Sequence, residues 1–95
     1  MIDLDEKYIT SIKETITKYL PDCSIYLFGS RAKGCAKKYS DIDIALNCNN
    51  LNENIMLKIK NEFENSTLPY EVDIVDLNNI SEVFKGHIIN DLVKI

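Results

Sequence analysis

The sequence has no tryptophan and is poor in three residue types that define special classes of chain, with 3 glycines, 2 prolines and 3 cysteines in 95 residues. So little glycine and proline excludes a collagen-like or low-complexity chain. No apolar run reaches the roughly 18 residues that a membrane-spanning helix needs. The acidic start, MIDLDE, lacks the basic segment of a signal peptide. We therefore expect a cytoplasmic protein that makes no contact with a membrane.

The cysteines are few, odd in number and widely spaced. Cys23, Cys35 and Cys48 lie 12 and 13 positions apart, so no two of them have the short spacing of a zinc-ligand pair. Because cytosolic cysteines are normally kept reduced, we expect three free thiols.

The charge balance is acidic, with 11 basic and 15 acidic side chains and a net charge of −4. A field of that sign repels nucleic acid at long range, so direct contact with nucleic acid is not expected. The length suits one domain, and no repeat or linker divides the chain. We expect a single domain over residues 1–95.

The apolar spacing predicts a chain with the element order α-β-β-α-β-α. Apolar residues that step by four are typical of amphipathic helices, and alternating or β-rich segments are typical of strands. The segments, in chain order, are a helix over 4–20, a strand over 24–28, a loop or short helical turn over 31–40, a strand over 41–46, a helix over 51–63, a strand over 70–76 and a short helix over 81–92. This order indicates a small sheet with helices packed on one face.

The strand over 41–46 carries two aspartates on one face. Asp41 and Asp43 are two positions apart, so both carboxylates point the same way. Like charges side by side repel, and two carboxylates at this spacing can share a divalent cation or bridge two. Oxygen ligands favour Mg²⁺ or Mn²⁺. A pair of this kind is also compatible with a solvated strand face.

Two further features favour a site over a solvated face. Gly29 and Ser30 follow a strand directly, and such a turn exposes backbone N–H groups and a hydroxyl that suit phosphate oxygens. Arg31 and Lys33 come next and can neutralise phosphate charge. Asp73 lies inside an otherwise apolar strand, where an unused charge is costly, and it would join the pair if that strand lies beside residues 41–46.

These residues together resemble a known family. The segments LFGSRAKG (27–34) and SDIDIAL (40–46) are similar to the signature of the DNA polymerase β-type nucleotidyltransferase superfamily, above all to its minimal nucleotidyltransferase branch. The segment VDIVDL (72–77) resembles that family's third-carboxylate strand. The resemblance implies an α/β (α+β) fold, in which a small mixed sheet has helices packed on one face and the active site on the other.

The resemblance also implies a reaction, in which a nucleoside monophosphate moves from a nucleoside triphosphate to an acceptor hydroxyl. Gly29 and Ser30, with Arg31 and Lys33, would bind the triphosphate of ATP. Asp41, Asp43 and Asp73 would be the catalytic residues and the ligands of two Mg²⁺ ions, with Mn²⁺ as an alternative.

Minimal nucleotidyltransferases of this type are commonly paired with HEPN-family ribonuclease toxins. The leading hypothesis is an antitoxin that adds AMP from ATP to a tyrosine hydroxyl of such a toxin, within a hetero-oligomer. Two alternatives stay open: an antitoxin that neutralises its partner by contact alone, and a nucleotidyltransferase that modifies a small molecule such as an aminoglycoside.

Overall fold

The computed structural model describes residues 2–95. It contains four α-helices, one short 3₁₀-helix and four β-strands within this range. In chain order they are α1 (Glu6–Tyr19), β1 (Ser24–Phe28), α2 (Gly29–Lys33), β2 (Ile42–Asn47), α3 (Glu53–Glu64), β3 (Val72–Asp76), α4 (Glu82–Ile88), the 3₁₀-helix (Ile89–Asp91) and β4 (Val93–Lys94).

The two long helices begin at side-chain caps. The carboxylate of Asp5 accepts a hydrogen bond from the backbone N–H of Lys7 at the start of α1. The side chain of Asn52 accepts one from the backbone N–H of Ile55 at the start of α3. Each cap satisfies an N–H that has no partner inside its own helix, so the sequence sets both starting points locally.

The four strands form one mixed sheet in the order β3-β2-β1-β4. β1 pairs antiparallel with β2 and with β4, whereas β2 and β3 are parallel. The parallel pair is possible because α3 carries the chain from the end of β2 back to the start of β3.

The larger apolar core lies between one face of the sheet and helices α1 and α3. Its fully buried members include Ile12 and Ile16 of α1, Ile42 and Ile44 of β2, and Ile59 of α3. Because strand residues alternate between faces, Asp43 projects to the opposite face from Ile42 and Ile44. The core therefore holds β2 rigidly and leaves its aspartate on the other side.

A smaller apolar cluster covers part of that other face. It joins Phe28, Ala45, Leu77 and Ile88, so α4 packs on the same face of the sheet as Asp43. The family fold is as expected, but the expectation that all helices pack on one face is wrong for α4. Ala45 lies two positions beyond Asp43 on the same face of β2, and its small side chain leaves room for α4 on that face.

Two elements differ from the sequence prediction. The predicted helix over 81–92 ends at Ile88, and a 3₁₀ turn then leads into β4, a strand that the apolar spacing did not indicate. The segment after β1 is the short helix α2, which agrees with the predicted short helical turn but begins two residues before it, at Gly29. Among residues 2–95, no helix has both the length and the apolar character needed to cross a membrane.

The cysteines also depart from the expectation. Cys23 and Cys48 form a disulfide between the residue before β1 and the residue after β2, and Cys35 is free and exposed. The prediction of three free thiols is therefore wrong for two of them. The antiparallel pairing explains the proximity, because Ser24 lies opposite Asn47 and the next residue outward on each strand is a cysteine.

Candidate functional site

Two of the three predicted acidic residues lie side by side on neighbouring strands. Asp43 of β2 is in register with Asp73 of β3. Partners in a parallel pair project to the same face, and neighbouring strands lie about 4.8 Å apart. Asp41 precedes β2 by one residue and is exposed, as is Asp73, while Asp43 is half-buried. The fold thus brings together the two strands on which the prediction depended.

The electrostatics of Asp43 show that the other two carboxylates act on it. Burial raises the pKa of the Asp43 carboxyl above its ordinary value, and the negative charges of Asp73 and then Asp41 raise it further. Each cause disfavours the ionised form. Bringing these charges together therefore costs the folded protein energy that a bound cation would offset.

The turn after β1 is built against Asp43. Phe28, the last residue of β1, is the register partner of Asp43, and Gly29 follows with a φ of 75°. A Cβ on Gly29 would overlap the carboxylate oxygen Oδ2 of Asp43. Only glycine combines this left-handed conformation with such a close approach, so Gly29 sets the spacing between the turn and the carboxylate.

Ser30 is in the first turn of α2 and is partly exposed. Its backbone carbonyl accepts hydrogen bonds from the chain beyond α2, at Cys35. The first N–H groups of a helix have no intrahelical partner, and no side chain caps α2. The N–H groups at the start of α2 are therefore available to phosphate oxygens, next to Gly29 and its close approach to Asp43.

Arg31 does not face this turn. Its guanidinium is buried, with the residue 5% exposed. It donates two hydrogen bonds to the backbone oxygen of Ser40, at 3.0 and 2.8 Å, and one to that of Asp3, at 2.9 Å. It also stacks on the Tyr70 ring, 4.1 Å from the centroid. Three of the five N–H donors of its guanidinium are thus used inside the protein, which favours a structural role for Arg31. Its contact with a nucleotide stays a prediction.

Lys33 is at the end of α2 and is exposed. Its ammonium nitrogen lies 3.2 Å from a carboxylate oxygen of Asp91 in the 3₁₀-helix. An exposed pair of this kind is weak and exchanges readily with other partners. Lys33 therefore remains a candidate for contact with a triphosphate, in competition with Asp91.

The acidic residues suit a hard cation, but they are not arranged as a finished metal site. Among residues 2–95, no group of three or more His, Cys, Asp or Glu side chains is placed to hold a metal ion. The donors are oxygen atoms only, as Mg²⁺ prefers, and burial, followed by the charges of Asp73 and Asp41, raises the pKa of Asp43. The residues thus fit Mg²⁺ chemically, and their convergence on one ion stays a prediction.

The space over the carboxylates is bordered by α4 rather than filled by it. Phe84 of α4 contacts Phe28 edge to face, with ring centroids 6.4 Å apart. Asp41 and Asp73 remain exposed. The helix therefore forms one wall of an open site.

Two other polar residues, Asp76 and His87, lie outside the group of three aspartates. Asp76 ends β3, and its carboxylate accepts a hydrogen bond from the backbone N–H of Asn78 in the turn that follows. His87 is exposed on α4. The role of Arg31 was missed, and its position directly after Gly29 and Ser30 gave no signal that separates a buried cation from a phosphate-binding one.

Comparison with known proteins identifies a family for this chain. Residues 10–95 match the family described as polymerase beta, nucleotidyltransferase. The chain is 35% identical over 85 residues to the probable protein adenylyltransferase MntA of Haemophilus influenzae, an alignment that covers 88% of this chain and 75% of that protein.

Solved structures with a similar fold include two toxin–antitoxin complexes. A chain in the crystal structure of a toxin–antitoxin with AMP-PNP is 29% identical, with a TM-score of 0.74 over 96% of this chain and 72% of that one. A chain in the complex of the tri-AMPylated Shewanella oneidensis HEPN toxin with its MNT antitoxin is 26% identical, with a TM-score of 0.67 over 90% of this chain and 66% of that one.

Proposed function

Since the chain belongs to the polymerase β-type nucleotidyltransferase family, we propose that it transfers AMP from ATP to a tyrosine hydroxyl of a partner HEPN toxin and so acts as an antitoxin. The relative from Haemophilus carries the name of a protein adenylyltransferase, and one similar complex contains an AMPylated HEPN toxin. The observation that carries the proposal is the register of Asp43 with Asp73 beside the Gly29 turn. ATP is abundant in the cytoplasm, which we propose as the site of action.

The triphosphate would lie against the turn after β1. Ser30 and the N–H groups at the start of α2 bind its oxygens, and Gly29 lets these groups approach Asp43 closely. Lys33 leaves its ion pair with Asp91 and binds a phosphate oxygen instead. The α-phosphorus is thereby held over the carboxylate face.

The acceptor hydroxyl would approach from the side of Asp73, which is the exposed member of the register pair. The hydroxyl oxygen forms a bond to the α-phosphorus, the bond from that phosphorus to the bridging oxygen breaks, and pyrophosphate leaves. Asp73 accepts the proton of the hydroxyl. Asp41, Asp43 and Asp73 would hold two Mg²⁺ ions, which supply charge neutralisation at the phosphate oxygens when bound.

The test is to incubate the protein with ATP, Mg²⁺ and the HEPN protein encoded beside its gene, and then to measure the intact mass of that protein. We expect a gain of one or more AMP units with the wild-type chain. Asp43→Asn should abolish the gain, whereas Asp22→Asn, at an exposed turn outside the site, should retain it.

The same experiment separates the alternatives. Neutralisation of the toxin by Asp43→Asn without any mass gain would establish an antitoxin that works by contact. Labelling of added aminoglycosides in preference to the HEPN protein would establish a small-molecule enzyme. Either result contradicts the proposed transfer to a protein.

A further inference from the structure

The outer edge of β3 is the edge of the sheet that lies nearer to the carboxylates. β3 is the terminal strand of the order β3-β2-β1-β4, so within the described residues only its inner side is paired. The N–H of Ile42 donates to the carbonyl of Glu71, and the N–H of Leu77 donates to the carbonyl of Leu46. In a parallel pair such bonds use every second residue, so Val72 and Ile74 direct their N–H and C=O groups outward.

A groove runs along this edge. Its volume is about 750 Å³, and its walls are the end of α3, the loop before β3 and β3 itself. Phe63 and Leu68 supply apolar surface, and Asp73 belongs to the same lining. The groove therefore reaches Asp73, the member of the candidate functional site that lies on this edge strand.

The charged side chains that line the groove are mostly acidic. Glu64, Glu71 and Asp73 are exposed there, against one cation, Lys60. Glu64 and Glu71 form no ion pair with any of residues 2–95. This charge favours a basic occupant, since unpaired like charges along an edge discourage a second acidic strand.

The geometry of strand addition gives the edge a chemical consequence. A residue of an added strand that pairs directly opposite Asp73 projects to the same face of the sheet as Asp73 and Asp43. A side chain that ends in a hydroxyl would therefore reach the carboxylate face without a separate acceptor pocket. Main-chain hydrogen bonds supply affinity in this mode of recognition, and side chains at alternate positions supply specificity.

We propose that the free edge of β3 binds an extended, basic segment of the acceptor protein as a fifth strand, and that this segment carries the hydroxyl that is modified. The inference rests on the proposed function, because it identifies how that function's acceptor is recognised. It assigns Val72 and Ile74 a binding role through their backbone groups and Glu64 and Glu71 a role through their charge.

The sharpest test removes one outward N–H by Val72→Pro. Proline at this position spares the ladder between β2 and β3, because the N–H of Val72 points away from β2. The matched control is Lys94→Pro on the opposite edge, where the neighbouring Ile95 N–H, rather than that of Lys94, bonds to β1. Circular dichroism and thermal unfolding verify that both variants fold.

We expect Val72→Pro to raise the KM for the HEPN protein about tenfold, the effect of losing one or two hydrogen bonds, with the KM for ATP unchanged. Lys94→Pro should leave both constants as in the wild type. Unchanged acceptor kinetics in a folded Val72→Pro would overturn the proposal.

Charge reversal tests the basic character of the occupant without touching the backbone. Glu64→Lys combined with Glu71→Lys should weaken binding of the HEPN protein. Added salt screens charges, so it should reduce the difference in affinity between this variant and the wild type. Glu14→Lys combined with Glu53→Lys, at exposed positions outside the groove, is the matched control for net charge. Equal weakening by both pairs would show only a long-range effect of charge and would overturn the assignment to the groove.

Amide hydrogen exchange separates failure of this inference from failure of the proposed function. Adding the HEPN protein should protect the N–H groups of Val72 and Ile74, even if no AMP is transferred. Protection elsewhere alone, or protection already present in the isolated chain because two copies pair through β3, would overturn the inference and leave AMP transfer to be judged by its own mass measurement.

Discussion

At the residue scale, Arg31 shows how a correct motif can mislead about one of its members. A cation directly after Gly29 and Ser30 predicts phosphate binding, yet the guanidinium is buried against the backbone of Ser40 and Asp3. It links the turn after β1 to the residue that precedes Asp41 and, through Tyr70, to the segment before β3. We therefore expect Arg31 to position the acidic cluster rather than to bind the nucleotide.

Arg31→Lys distinguishes the two roles. An ammonium group cannot make the two-donor contact with Ser40 or the flat stack on Tyr70, so we expect a loss of about 1–3 kcal/mol in the free energy of unfolding. The KM for ATP should stay the same, because the side chain does not reach the triphosphate. A raised KM for ATP with unchanged stability in urea unfolding would restore the nucleotide-binding role.

Gly29 and Gly86 form a natural pair of glycines for substitution by alanine. At Gly29 the added Cβ meets the Asp43 carboxylate at a φ of 75°, so Gly29→Ala should lower stability by about 1–3 kcal/mol and abolish AMP transfer. At Gly86, inside α4, a Cβ has no heavy atom within 4 Å, so Gly86→Ala should raise stability by about 1 kcal/mol through helix propensity. Thermal unfolding and the transfer assay measure both, and equal effects at the two sites would contradict the role of Gly29.

Asp43 gives a prediction with a defined dependence on pH. Its raised pKa means that the folded protein holds this proton to a higher pH than the unfolded chain does. Without metal, stability therefore falls as pH rises from near 3.8 through the raised folded value, and stays lower above it. Asp43→Asn should be the more stable protein at pH 7, by less than about 1 kcal/mol because solvent screens this half-exposed site. The difference should vanish below the unfolded pKa, and urea unfolding across pH checks this.

At the scale of elements, the sequence predicted an element well wherever a regular pattern of buried residues continues over several positions. The apolar stripes of α1 and α3 and the alternation in β2 predicted those elements to within two residues, because their side chains face one continuous core. β4 is two residues long and has no pattern to read. The register of Asp43 with Asp73 depends on how α3 returns the chain, which no local sequence signal encodes.

The helix α4 provides the prediction at this scale. Ile88 is 8% exposed and anchors α4 on Phe28, Ala45 and Leu77, while Val83 on the same helix is 74% exposed. Ile88→Ala should lower the free energy of unfolding by about 2–4 kcal/mol, and Val83→Ala should change it by less than about 0.5 kcal/mol. Faster amide exchange over residues 82–88 in Ile88→Ala would show that the wall of the site has loosened. Equal stabilities of the two variants would contradict the packing of α4.

At the scale of the whole molecule, stability and chemistry are divided between the two faces of the sheet. One face and its helices bury the larger core, and the other carries the carboxylates with only partial cover by α4. Because apolar packing holds the fold, we expect that folding does not require a metal. Under the proposed function, a metal would offset the three neighbouring negative charges when a triphosphate adds more.

Chelation should therefore separate activity from stability. We expect EDTA to stop AMP transfer and to lower the midpoint of urea unfolding only slightly, so that the protein stays folded. Excess Mg²⁺ should restore transfer. This outcome differs from the one expected for a structural metal. Removing a structural metal would unfold the chain as well as stop AMP transfer. Asp43→Asn is the internal control: it should be inactive with or without Mg²⁺, and adding Mg²⁺ should stabilise it less than the wild type, because one of the repelling charges that the ion would neutralise is gone. Unfolding of the wild type by EDTA without urea would show instead that the fold depends on a bound ion.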